Sequence, residues 1–368
     1  MDKIYLSADS LNVGYSNKTL IKDINFHVKK GEILSLIGPN GSGKSTILKS
    51  ITKQLETIAG TVYIEGKEFS KISNKNLAKK MAVVLTDKIT PEIMTCREVV
   101  SIGRYPYTGY FGKLSEKDSI IVDEAIKMVN ADEIADKDFN NTSDGQKQRI
   151  MLARAICQQP EIIILDEPTS YLDIKFKIEL LEILKKMSRE KNITIIMSLH
   201  EVDLASKISD KIMFVKGDVI SKFGSPEDIC TTTNINNLYN LNNGTFNINF
   251  GSVELSGVKE NPKVFILSGN GKGIPIFRYL QKQGIAFYTG LLYENDVDYQ
   301  LASDLSSEVF SIPAFEDVST DKLIACKNAI LKCDKLINPS IEIKKHNTFQ
   351  KELIDFAVQN NIIIENWS

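Results

Sequence analysis

Short apolar runs and stretches of helical period alternate along most of the chain. Near the start, Ile4-Tyr5-Leu6-Ser7-Ala8, Leu11-Asn12-Val13-Gly14-Tyr15 and Leu20 to Val28 have the look of strands with one covered face. Ile33 to Ile37, Met81 to Leu85, Ile162 to Leu165 and Ile193 to Ser198 are nearly continuous apolar runs, which predicts strands buried on both faces. Gly60 to Gly66 alternates like a hairpin strand. From about Thr95 to Asp138 the period becomes helical, through Arg97 to Gly103 and Ser119 to Ile126, and Ile150 to Ile156 continues it.

The pattern then changes. Thr231 to Gly257 is rich in Asn and Thr, and Asn242-Asn243-Gly244 is a hairpin-turn signal, so a small β appendage or linker is expected. Beyond it, Val264 to Ser268, Ile285 to Tyr293, Val309 to Ile312, Lys335 to Asn338 and Ile362 to Glu365 read as strands. Helical stretches separate them, one ending near Gln283 and one spanning Asp321 to Cys333. This alternation predicts a small doubly wound, Rossmann-like sheet. The expected organisation is an α/β domain over 1–230 with a helical subdomain at about 95–158, a β appendage or linker over 231–258, and a Rossmann-like accessory domain over 259–368.

Composition narrows the class. A length of 368 residues with 42% hydrophobic residues suggests two or three domains with real cores. A formal net charge of -2 gives no electrostatic case for nucleic acid. The five cysteines lack C-x-x-C spacing and read as reduced, scattered core residues of a cytosolic protein. Met1-Asp2-Lys3 leads into an alternating strand and not into a signal peptide's apolar region. No apolar run approaches the ~18 residues of a membrane span. Any service to a membrane is therefore expected from the water side.

Gly38-Pro39-Asn40-Gly41-Ser42-Gly43-Lys44-Ser45-Thr46 fits the phosphate-binding P-loop G-x-x-x-x-G-K-[ST], with a strand before it and a helix after it. Its glycines let several N–H groups converge on one phosphate chain, and the helix N-terminus adds partial positive charge. Lys44 is expected at the β- and γ-phosphates, and Ser45 on Mg²⁺. At the end of the strand Ile162 to Leu165 stand Asp166 and Glu167, where open α/β sheets bind their ligands. Asp166 suits a Mg²⁺ ligand and Glu167 the group that polarises the attacking water. His200 ends the next buried strand at the same edge. Tyr15 either stacks on a base or is a half-buried strand aromatic. Ser143-Asp144-Gly145-Gln146 opens a helix and forms at least a cap.

Residues up to about 230 resemble the nucleotide-binding subunit of an ABC transporter. The resemblance makes Tyr15 the adenine-stacking aromatic and Gly38 to Ser45 Walker A. Ser143, Gly145 and Gln146 then match the signature that meets ATP held by a partner subunit. Asp166 and Glu167 match Walker B and the catalytic glutamate, Asp173 closes the D-loop Ser170-Tyr171-Leu172-Asp173, and His200 is the switch histidine. It implies ATP and Mg²⁺ as cofactors, a homodimer of ATPase subunits, separate transmembrane permease subunits, and a place in the cytoplasm on the inner face of the plasma membrane. Arg104-Tyr105-Pro106-Tyr107-Thr108-Gly109-Tyr110-Phe111-Gly112 resembles the ATPases of importers for iron-siderophore, haem or cobalamin. The alternatives are a non-transport ABC ATPase and an ATP-sensing regulatory module.

Two departures stand out. The signature usually reads Leu-Ser-Gly-Gly-Gln, whereas Thr142 and Asp144 occupy its first and third places here. The glutamine that normally follows the strand ending at Leu85 is replaced by Thr86, with Asp87 next, so either Thr86 or Asp87 is the candidate stand-in near the metal, or the link to the metal is indirect. In the tail, Gly269-Asn270-Gly271-Lys272-Gly273 follows a strand and precedes a helix. Either a small anionic, nucleotide-like ligand at Gly269, Gly271 and Gly273, with Glu294 as ribose partner, or a structural β–α turn accounts for it.

Overall fold

The structure, a computed structural model, describes residues 4–367 except 17, 86–92, 110, 111, 171, 345 and 346. The chain divides into two compact units, Met1–Tyr239 and Asn240–Ser368. In the first unit the strands are β1 (Ile4–Tyr15), β2 (Lys18–Lys29), β3 (Ile33–Ile37), β4 (Ala59–Ile64), β5 (Lys67–Glu68), β6 (Met81–Val84), β7 (Ile162–Leu165), β8 (Thr194–Ser198), β9 (Lys211–Lys216) and β10 (Val219–Gly224). Its helices are α1 (Lys44–Ser50), α2 (Asn74–Lys80), α3 (Cys96–Ser101), α4 (Glu116–Met128), α5 (Asp144–Cys157), α6 (Ile174–Lys191), α7 (Val202–Ile208), α8 (Pro226–Ile229) and α9 (Thr232–Tyr239).

The central sheet has the order β10-β9-β3-β8-β7-β6, parallel throughout except for β10. Every residue of β3, β7 and β8 is buried, as their apolar runs predict. A second, antiparallel sheet, β2-β1-β4-β5, packs over α1, whose Ile47, Leu48 and Ile51 lie between it and Leu34, Leu36, Ile164 and Ile196 of the central sheet. The two opening segments read from the sequence are one strand, β1. Its register shifts at bulges, with Ser10 in the left-handed region, let the polar interruption Asp9-Ser10 stay inside it.

The helical subdomain is α3, α4 and α5. Each starts with a capping box, at Thr95/Glu98, Ser115/Asp118 and Ser143/Gln146, which satisfies orphan N–H groups at both residues of the pair. Buried Arg104 ties them together. Its Nε donates to Asp118 Oδ1 at 2.8 Å, and its Nη1 to the Cys157 carbonyl at 2.8 Å and to Gln159 Oε1 at 3.1 Å. The guanidinium also lies 4.1 Å from the centroid of the Tyr107 ring.

In the second unit β11 (Gly244–Asn247) and β12 (Ser252–Leu255) form an antiparallel hairpin. A parallel sheet follows, made of β13 (Val264–Ile266), β14 (Phe287–Tyr293), β15 (Glu308–Ile312), β16 (Lys335–Asn338) and β17 (Ile363–Asn366). Helices α10 (Ile274–Gln283), α11 (Val297–Leu305), α12 (Thr320–Ile330) and α13 (Thr348–Gln359) connect the strands. The order β15-β14-β13-β16-β17 is doubly wound, as the alternation predicts. Strand period sorts the core. Val264 and Ile266 pack with α10 and α11 on one face, while Phe265 and Leu267 pack with α12 and α13 on the other.

Two expectations for the Asn/Thr-rich stretch are corrected. Asn242-Asn243-Gly244 leads into β11 and is not the hairpin turn. The turn spans 248–251, where Asn247 Oδ1 accepts the N–H groups of Asn249 and Phe250 and Gly251 has φ 62°. The stretch also contains a helix, α9, which buries Ile235 and Leu238 one turn apart. Two anchors among threonines and asparagines are too few for the period to stand out.

The Asp118 carboxyl is held down at about 2, first by the Ser115 hydroxyl, then by the Ser115 N–H, then by Arg104. Its contribution to stability is therefore present above the unfolded-state value of about 3.9 and is lost as pH falls towards the folded-state value. Asp118→Ala should cost about 3 kcal/mol at neutral pH, because Arg104 is left buried without its counter-charge. Denaturant titrations of both chains should show a constant gap above about pH 5 that narrows below about pH 4.

Candidate functional site

The turn after β3 wraps closely. A Cβ at Gly38 would lie 2.1 Å from the Val215 carbonyl oxygen, and Gly43, with φ 96°, would collide with Ile21 Cδ1 at 2.6 Å. The loop thus requires glycine at both positions. Lys44 is buried, and its Nζ donates to the carbonyls of Gly38 at 2.7 Å and Pro39 at 3.1 Å. Burial lowers its pKa, while the carboxylates of Glu167 and Asp166 oppose that shift. The Ser42 hydroxyl is buried and has no hydrogen-bond partner among the described residues. A donor left over in a loop of converging N–H groups fits a phosphate-sized acceptor.

Asn40, Gly41, Gly43, Lys44, Ser45 and Thr46 line a cleft of about 270 Å³ together with Leu20, Glu167 and His200. Residues more than 120 positions apart therefore meet at one sheet edge. The His200 Nε2 lies 2.8 Å from Glu167 Oε1, and Ser170 Oγ donates to Glu167 Oε2 at 3.1 Å. Glu167 is in the left-handed region, with φ 50°. Asp166 is buried, and its N–H donates to the Val84 carbonyl. The Tyr15 ring is half exposed, and its hydroxyl is 3.4 Å from Thr46 Oγ1, so an aromatic face stands beside the P-loop.

Ser143, Gly145, Gln146 and Asp173 do not line this cleft. Ser143 and Gln146 cap α5 reciprocally, and Asp173 caps α6 by accepting the Phe176 N–H at 3.0 Å. Gly145 packs against this second cap, since a Cβ there would sit 3.3 Å from Leu172 Cδ2. Thr86, Asp87 and Tyr171 lie outside the described residues. The structure adds three residues that motif reading passed over. Gln148 Nε2 donates to the Pro168 carbonyl at 2.8 Å, Glu201 accepts from Thr169 Oγ1 and pairs with Lys177, and Ser198 bonds both Asp166 and Glu167.

The family model described as ABC transporter matches residues 21–170. An uncharacterized ABC transporter ATP-binding protein of Methanocaldococcus jannaschii is 44% identical over 278 residues, 75% of this chain and 96% of that protein. The chain belongs to the ABC transporter ATP-binding proteins. Another relative, the iron(3+)-hydroxamate import ATP-binding protein FhuC of Bacillus subtilis, is 37% identical over 226 residues, 61% of this chain and 84% of that protein. Among solved structures, an inward-facing metal-chelate type ABC transporter is similar with TM-score 0.58 and 27% identity, covering 65% of this chain and 90% of that one. A dimeric ATP-binding cassette in a post-hydrolysis state, bound to ADP and Pi, is similar with TM-score 0.54 and 27% identity, covering 60% of this chain and 98% of that one. A second family model, the MJ0874 family, matches residues 287–366.

The ABC ATPase unit and the second unit thus each carry a glycine loop between a parallel strand and a helix, but the two loops differ. Of the two readings of Gly269, Gly271 and Gly273, the contacts favour the structural β–α turn, because the chain itself supplies acceptors for most of the loop. Asp298 Oδ2 accepts the N–H groups of Gly269 at 2.7 Å and Gly273 at 2.9 Å, and Oδ1 accepts that of Ile274 at 3.1 Å. Asp296 accepts the Asn270 N–H at 2.8 Å. Asp298 is fully buried, and burial raises its pKa against the pull of those bonds. Glu294 accepts from Ser311 Oγ at 3.0 Å. An incoming phosphate would have to displace two carboxylates that the fold already holds.

Asp298→Ala should therefore act on folding. Leaving three N–H groups unpaired, those of Gly269 and Gly273 buried and that of Ile274 part-buried, should lower the stability of this unit by about 2–4 kcal/mol. Trp367, the only tryptophan, packs on Tyr279 with ring centroids 4.9 Å apart, so its fluorescence in the full chain reads that transition.

Proposed function

We propose that this ABC ATPase binds ATP with Mg²⁺ and couples its hydrolysis to import of a metal chelate through separate permease subunits. The observation that carries the reading is the cleft in which the P-loop faces Glu167, with His200 2.8 Å from its carboxylate. Ser42, Gly43 and Lys44 would hold the β- and γ-phosphates, and Tyr15 would stack on the base. Ser45 and Asp166 supply the hydroxyl and carboxylate that suit Mg²⁺, which when bound neutralises charge on the phosphates. Glu167 takes the role of base towards the attacking water, and His200 orients its carboxylate from Oε1.

Ser143, Gly145, Gln146 and Asp173 are proposed to complete the site of a partner subunit across a head-to-tail homodimer. Their absence from the lining of their own subunit's cleft and the dimeric cassette among the structural neighbours support this. The proposed membrane partner is a separate permease, and among the described residues no helix is long and apolar enough to cross a membrane. Tyr105, 73% exposed beside the Arg104 anchor, suits contact with its cytoplasmic side. The iron(3+)-hydroxamate relative and the metal-chelate structural neighbour support a metal chelate as cargo.

Glu167→Gln should retain ATP binding, lose hydrolysis by about 10²–10⁴-fold, the usual contribution of a positioned base, and accumulate as an ATP-dependent dimer. Turnover assays and size-exclusion chromatography with and without ATP measure both. Wild-type turnover would rule out the role given to Glu167. With the permease present, the same substitution should abolish uptake of labelled ferric hydroxamate into vesicles. Absence of such uptake by the wild-type complex would rule out that cargo.

A further inference from the structure

Ser198 ends β8 and is fully buried. The parallel register that sets Leu165 beside Met197 brings Asp166 and Ser198 together one step further along. Ser198 Oγ donates to Asp166 Oδ1 at 2.7 Å and accepts the Glu167 N–H at 2.8 Å. A hydroxyl has one proton to give. Here the amide takes an acceptor position and the proton goes to the carboxylate, so the two bonds run in one direction. Bonds chained in this way polarise each other.

We infer that Ser198 is a positioning residue of the ATPase site, one hydroxyl that orients the Asp166 carboxylate and holds the Glu167 backbone. The inference rests on the roles proposed above for Asp166 and Glu167. Bonding at Oδ1 restrains rotation of the Asp166 carboxylate, as partners behind a metal ligand do. Glu167 needs holding because φ 50° is costly for a non-glycine residue. His200 and Ser170 restrain only the far end of that side chain, through Oε1 and Oε2. The metal ligand and the base therefore share one support, and a shift at β8 would move both.

The test uses the full chain with Ser198→Ala, Ser198→Thr and Ser198→Cys, and Asp166→Asn alongside. Turnover, half-saturating Mg²⁺, nucleotide affinity without Mg²⁺, and thermal midpoint are measured for each. Ser198→Ala should lower kcat and raise half-saturating Mg²⁺, each by about 10–100-fold, the usual effect of losing a partner behind a metal ligand. Nucleotide affinity without Mg²⁺ should be unchanged. Ser198→Thr, which keeps the hydroxyl, should recover most of both losses. If the alanine chain does not fold, Ser198→Cys, a near-isostere and weak donor, is read in its place with the same expectation. Wild-type turnover and Mg²⁺ dependence in a chain without the hydroxyl would overturn the inference. Equal losses in the alanine and threonine chains with unchanged half-saturating Mg²⁺ would also overturn it, since volume would then be the cause. If Asp166→Asn is inactive while Ser198→Ala behaves as wild type, only the inference on Ser198 falls. If Asp166→Asn keeps its turnover and Mg²⁺ requirement, the metal role fails and the inference falls with it.

Discussion

Parallel pairing of β3, β8 and β7 is the constraint on which the ATPase unit depends. Strands that run the same way end at the same edge, so the loops after them are neighbours however far apart they are in sequence. The P-loop, the Asp166–Glu167 pair and His200 are brought together in this way. Both faces of these strands are covered, so a slip of one residue would exchange the side chains packed on one face for those packed on the other. The same slip would part Ser198 from Asp166. Core packing and site geometry are therefore one requirement.

The helical subdomain is joined to that edge through short polar links. Gln148 of α5 holds the Pro168 carbonyl just beyond Glu167, and Gly145 lets α5 pack on Leu172. Glu201, next to His200, is bonded to Thr169 and paired with Lys177 of α6. The links through Gln148 and Glu201 are hydrogen bonds and an ion pair at part-buried positions, where geometry is retained better than at an open surface. A change at the carboxylates thus has a physical route to the start of α5 and of α6, where the capped termini at Ser143 and Asp173 lie.

The two units use the same backbone device to different ends. In each, a glycine loop leads from a parallel strand into a helix N-terminus, where backbone N–H groups are available to an acceptor. In the ATPase unit the loop keeps a buried hydroxyl, Ser42, without a hydrogen-bond partner among the described residues, and its lysine lies on its own carbonyls. In the second unit Asp296 and Asp298 accept the loop's amides, and the partial positive charge of the helix N-terminus meets these carboxylates in place of a ligand. A glycine loop is evidence for converging donors. Which acceptor they meet depends on the next strand's loop.

The sequence by itself determined a great deal of this protein. Continuous apolar runs such as Ile162 to Leu165 suit strands covered on both faces, and the P-loop pattern, with Asp166-Glu167 and His200 at strand ends, points to an ATPase edge. These features were legible because each is local: a period, a spacing, or a residue type at the end of a run. Features made by contact were hidden. Ser198 reads as one more residue of an apolar strand until β7 lies beside β8. Asp298 reads as a first-turn residue of α11 until α10 starts next to it. Helix α9 rests on only two apolar anchors among asparagines, and the hairpin turn is made by the Asn247 side chain and not by the Asn-Asn-Gly string. Tertiary structure decided these, because a hydrogen bond needs both partners in place and a sequence shows only one at a time.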